Sequence, residues 1–112
     1  MAYFGSGQSC VAGSRVFIQR SLFDKFVATL VERANELVMG PPEETATELG
    51  PLATFAHRDQ VHSLVTRAIE QGADLLCGGE IPQAGALASG AYYPATVISK
   101  VTNQSSICQE EV

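Results

Sequence analysis

Apolar and polar positions change their rhythm several times along the 112 residues. "RVFIQ" (Arg15–Gln19), an apolar run between polar ends, is expected to be a short strand. From Leu22 the spacing becomes three and four. Leu22, Phe23, Phe26, Val27, Leu30, Val31, Ala34, Leu37 and Val38 form a wide stripe on one helical face. Ser21 can cap this helix, with Asp24 three residues on. Gly40-Pro41-Pro42 is expected to stop it.

The stretch "EETATELGPLAT" is polar and then turn-like, and is expected to be a loop. A second helix is predicted from Phe55 or Ala56 to Glu70, where Val61, Leu64, Val65, Ala68 and Ile69 repeat the helical spacing and Gly72 follows. "ADLLCGG" is expected to be a buried strand closed by glycines. "EIPQAGALASG" has no period and is expected to be a loop. "YYPATVIS" is predicted as a third strand, with Pro94 marking an edge or a start. The tail "SSICQEEV" has no regular pattern. Helices placed between strands imply crossover connections, hence an α/β fold with a parallel or mixed sheet covered by helices.

Composition narrows the functional classes. Hydrophobic residues make up 46% and charged residues 17%, a globular balance in a chain of single-domain length. The formal net charge is -5. With no basic stripe, neither nucleic acid nor an anionic membrane surface is an expected partner. No apolar run approaches a membrane-spanning length, and no signal-peptide pattern opens the chain. Cys10, Cys77 and Cys108 are far apart, and no Cys or His spacing suits a metal. Free thiols and a cytoplasmic setting are the expectation.

"SGQSCVAGSR" is where chemistry is expected. Cys10 sits among small and polar residues with Gly7 and Gly13 on either side. A nucleophilic cysteine needs thiolate character, room for a reacting carbon and donors for a developing oxyanion. Small neighbours supply the room, and a tight turn could supply backbone N–H groups. A small buried thiol that only packs is the other reading of these residues.

The run "GQSCVAGSR", followed by "VFIQ" and "FDKFVATLVERA", resembles the nucleophile segment of the NAD(P)-dependent aldehyde dehydrogenase superfamily, whose pattern is G-Q-x-C-x-A-G-S-R, then strand, then helix. The likeness extends through "LGPLAT", "EQGADLLCGG" and "YYPATVI" to "QEEV", similar to the opening of the family's E-E-x-F-G-P motif. The family often has Asn two residues before the Gly of G-Q-x-C; here Gly5 takes that place.

The resemblance implies roles. Cys10 would attack an aldehyde to form a thiohemiacetal and then a thioester, and its backbone N–H would be one oxyanion donor. Glu111 would bind the nicotinamide ribose hydroxyls, a task suited to two carboxylate oxygens; a solvated tail charge is its other reading. His57 would stand near the cofactor, or be a surface histidine. His62 pairs with nothing the sequence identifies. Cys77 is expected in the core, Cys108 as a loop thiol, and Arg15 as a structural hydrogen-bonding residue.

The resemblance also implies what residues 1–112 do not contain. No segment is similar to the family's dinucleotide-binding unit, its general-base glutamate, the side-chain amide of its oxyanion hole or its C-terminal oligomerisation strand. The chain is therefore expected to be a fragment of the catalytic domain, with NAD or NADP and a small aldehyde belonging to the parent enzyme. Neither cofactor is expected to bind the fragment, which is expected to be inactive alone and to self-associate into a homo-oligomer. Two other classes remain open: an interaction or scaffold domain that keeps the fold, and a thioester- or redox-active domain that uses Cys10 without NAD.

Overall fold

A computed structural model describes residues 2–112. Helix α1 is Phe23–Glu36 and α2 is Phe55–Glu70; strands β1 (Asp74–Cys77) and β2 (Val97–Ser99) and a one-turn helix, α3 (Ser106–Gln109), complete the regular structure. Single 3₁₀ turns occupy Phe4–Gly7, Arg20–Leu22 and Ala86–Ser89.

Helix α2 forms where its stripe predicts. Thr54 caps it, its hydroxyl accepting the His57 N–H at 3.1 Å. Leu64, Val65 and Ala68 point inward and are buried, Leu64 to 1% exposure. Ala91, Tyr92 and Tyr93 are buried too. His62 Nδ1 lies 3.1 Å from the Tyr93 hydroxyl, ring edge toward ring face. That hydroxyl donates to the Gly79 carbonyl at 3.1 Å. Because a phenol has one hydrogen, His62 supplies the other as an Nδ1–H tautomer. Burial pushes the Tyr93 hydroxyl up from 10.0 to about 12.

Helix α1 ends earlier than its apolar stripe suggests. Leu37 is already extended. The next residues pair with the following loop: the Val38 carbonyl accepts from Glu48 and Leu49, and the Gly40 N–H donates to Leu49 at 3.1 Å. A parallel bridge joins Met39 to Leu49. These bonds satisfy backbone groups that a longer helix would use, so pairing wins over helical spacing. Ala34, Leu49, Ala95 and Val97 form a buried cluster with Leu30, Val31, Leu37 and Leu76 packed around it.

Helices packed with a small sheet are thus present, but the sheet is more modest than the hydrophobic pattern suggests. β1 and β2 pair antiparallel, Asp74 with Ser99 and Leu75 with Ile98, with an irregularity before Cys77. Among the described residues, parallel pairing is confined to the Met39–Leu49 bridge. A loop, not a helical crossover, links the two strands, which permits the antiparallel direction. The third predicted strand shrinks to Val97–Ser99. Arg15–Gln19 forms no ladder, because a strand needs a neighbour and none of the described residues supplies one. The backbone packs tightly against a neighbouring segment where β1 ends. Gly78 has φ +69°, and a Cβ there would lie 2.3 Å from the Ala95 carbonyl oxygen.

Candidate active site

Cys10 sits on a loop that is tied down on both sides. Gly5, Ser6 and Gly7 all have positive φ, near +60° to +74°. Glycine adopts that region freely; Ser6 is held in it by its hydroxyl, which donates to the Gly50 carbonyl at 3.0 Å. The Gln8 side-chain carbonyl accepts the Ala53 N–H at 2.8 Å. Upstream, the Tyr3 hydroxyl donates to Thr96 at 3.0 Å. The next turn closes when the Ala12 N–H donates to Ser9 at 2.8 Å, which leaves Cys10 at its tip. The thiol is exposed rather than packed. Among the described residues, no chain carbonyl accepts the Cys10 N–H.

The stretch that anchors this loop, Gly50 to Ala53, leads into Thr54 and α2. The first turn of α2 therefore stands beside the thiol, and His57 and Gln60 join Cys10 in lining a cleft of about 830 Å³. The opposite wall is the C-terminal tail. Ile107, Cys108 and Glu111 line it. Three ties hold that wall. Arg15, five residues past the thiol, donates to the Cys108 carbonyl at 3.1 Å. The Gln71 side-chain oxygen accepts the Ser106 hydroxyl at 3.2 Å. Arg67 pairs with Glu110 at 3.0 Å, both half exposed. Fixing Glu110 on α2 leaves the next residue, Glu111, at the cleft.

The three residues singled out for chemistry, Cys10, His57 and Glu111, thus come together around one opening although they span nearly the whole sequence. Arg15 is the hydrogen-bonding strut it was expected to be. Cys77 lies half buried in β1, its sulfur 3.8 Å from the Ala95 carbonyl, and burial pushes its thiol up. Cys108 is half buried on α3 instead of in a loop. His62, unassigned from sequence, serves Tyr93. The residues that build the site without reacting, Gln8 and Arg67, carried no sequence signal beyond membership of a motif or a helix. Among the described residues, no group of three or more His, Cys, Asp or Glu is placed to hold a metal ion, and no helix is long and apolar enough to cross a membrane.

Comparison with known proteins settles the family. A sequence model described as "Aldehyde dehydrogenase family" matches residues 1–112. The chain belongs to the aldehyde dehydrogenase family. It is 44% identical to an aldehyde dehydrogenase of Paenarthrobacter nicotinovorans over 106 residues, which are 95% of this chain and 22% of that protein. It is 41% identical to a betaine aldehyde dehydrogenase of Sinorhizobium fredii over 98% of this chain and 22% of the relative. The crystal structure of Mycobacterium tuberculosis aldehyde dehydrogenase complexed with NAD+ shares its shape with a TM-score of 0.91 at 35% identity, over 98% of this chain and 22% of that one. The chain therefore spans about a fifth of the length of these aldehyde dehydrogenases.

Proposed function

We propose that this chain is the nucleophile-bearing part of an NAD(P)-dependent aldehyde dehydrogenase catalytic domain, with Cys10 as the nucleophile and Glu111 as a cofactor-binding carboxylate. The observation that carries this reading is the single cleft lined by both, with the thiol exposed at a turn tip. The Cys10 sulfur attacks the aldehyde carbon, and the carbonyl oxygen takes the negative charge. The Cys10 N–H, with no carbonyl partner in the described chain, is available to that oxyanion. The same sulfur holds the acyl carbon until water or another acceptor releases it.

The residues fit a nicotinamide cofactor. The Glu111 carboxylate is exposed at the cleft, and among the described residues it enters no ion pair, so both oxygens can accept from a vicinal diol. His57, half buried in the α2 first turn, borders the same space. When bound, the cofactor supplies the two-electron acceptor. The chain supplies the sulfur and one end of the cofactor cradle. Holding a cofactor against the reacting carbon is worth roughly 7–11 kcal/mol of barrier. That positioning draws on the remaining four-fifths of the relatives' length, so the 112 residues alone are expected to show no aldehyde-dependent NAD reduction.

The test is alkylation of the chain by iodoacetamide, followed by peptide mass analysis, with and without propionaldehyde. The expected result is fast labelling of Cys10 that the aldehyde slows several-fold, while Cys108 on the opposite wall is unaffected. Equal labelling of Cys10 with and without aldehyde overturns the nucleophile assignment. NAD reduction by the purified chain at rates typical of enzymes overturns the assignment to it of a part rather than the whole of the machinery.

A further inference from the structure

Two adjacent carboxylates, Glu110 and Glu111, border the same cleft. Nothing in their chemistry tells them apart, so something else must decide which one serves the opening. Glu110 leaves α3 with an extended backbone, φ −105° and ψ 155°. In extended chain, consecutive side chains point to opposite sides. Turning one of the pair toward α2 therefore turns the other away from it. Arg67, in the last turn of α2, makes the choice: its guanidinium lies 3.0 Å from the Glu110 carboxylate. Glu111 enters no ion pair among the described residues.

The tail is held at three points before it reaches Glu111. Gln71, one helical turn beyond Arg67, accepts the Ser106 hydroxyl at 3.2 Å. Arg15 donates to the Cys108 carbonyl at 3.1 Å. Arg67 is the last clamp, one residue short of Glu111. Both partners of its ion pair are half exposed, and such pairs add little to global stability. The consequence of the pair lies in where Glu111 points. We propose that Arg67 is a positioning residue for cofactor binding: it holds Glu110 on α2 and so presents Glu111 to the cleft. This rests on the reading of Glu111 as the cofactor-binding carboxylate.

The clamp itself is tested on the 112-residue chain without cofactor. Carboxylates are coupled to glycine ethyl ester with a water-soluble carbodiimide and located by peptide mass analysis. Glu111 is expected to label faster than Glu110, and Arg67→Gln to bring the two rates together. Equal rates in the wild-type chain overturn the proposal. Its consequence is tested in the complete enzyme carrying these residues, by steady-state kinetics in NAD. Arg67→Gln is expected to raise KM for NAD about three-fold with kcat at saturating NAD little changed. Arg67→Glu is expected to raise it about ten-fold, because a like charge then faces Glu110. Combining Arg67→Glu with Glu110→Arg rebuilds the pair in reverse and is expected to restore KM to within about two-fold. Arg67→Gln, which adds no repulsion, carries the test should Arg67→Glu not fold. A KM that responds to Glu111→Gln but to neither Arg67 variant overturns the positioning role and leaves the reading of Glu111 standing. Failure of the reversed pair to restore KM also overturns it. A KM indifferent to Glu111→Gln overturns the reading of Glu111, and the positioning role with it.

Discussion

Two helices of similar sequence character behave differently. α2 turns its apolar stripe inward and buries Leu64, Val65 and Ala68. α1 carries the more sharply divided stripe, yet its first two turns leave Phe23 and Phe26 exposed and only its C-terminal half, through Ala34, reaches the core. Amphipathic spacing states that a face wants cover; it does not state that cover is present. The difference separates a half of the molecule that holds itself together from a half that presents surface.

The largest expected break in that comparison is Leu64→Ala, which opens a cavity in the self-sufficient half. A loss of about 2–5 kcal/mol is expected in urea unfolding. The same truncation at Phe26 is expected to cost well under half as much, because 46% of Phe26 is already in water.

Tyr93→Phe comes next. It leaves the buried Gly79 carbonyl without its donor, for about 1–3 kcal/mol at pH 7. Its pH dependence follows from burial. The hydroxyl titrates near 12 when folded against 10.0 ordinarily, so the folded state favours the neutral phenol. That contribution, about 2–3 kcal/mol from a two-unit shift, is whole below pH 10 and is lost as the pH rises toward 12. Tyr3, also raised to about 12 by burial, adds to the loss in the same window. Stability curves from pH 8 to 12 are expected to show the gap between wild type and Tyr93→Phe closing above pH 10.

Thr54→Ala removes the α2 cap and is expected to cost about 1 kcal/mol in thermal unfolding. Gln8→Ala acts more locally. Global stability changes by about 0.5–1.5 kcal/mol at most, while hydrogen exchange at Ala53 rises several-fold and iodoacetamide labelling of Cys10 shifts relative to Cys77. Glu43→Ala, on an exposed loop, is expected to stay within about 0.5 kcal/mol.

The sequence makes α2 legible almost to the residue, since stripe and terminating glycine agree; its Thr54 cap emerged only in the structure. It misplaces the end of α1 because Val38 and Gly40 find backbone partners ten residues on, a fact no local spacing encodes. It overstates the strands for a related reason. The strand-like composition of Arg15–Gln19 and "YYPATVIS" reports suitability for a ladder, whereas the ladder itself depends on a neighbour. α3 escapes notice because one turn is too short to show a period. In the cleft, Cys10 was singled out by its small, glycine-flanked neighbours and His57 and Glu111 by a family pattern; local composition by itself favoured a packed thiol and a solvated carboxylate. The ties made by Gln8, Arg15 and Arg67 depend on distances across dozens of residues and emerge only in three dimensions.

The crossing at Gly78 leaves a prediction written in the genetic record. A side chain at that position must both adopt a backbone angle it resists and occupy space already filled by the Ala95 oxygen. Across any large collection of natural variants of this chain, position 43 will drift through many residue types, while position 78 will tolerate almost no spelling but the smallest.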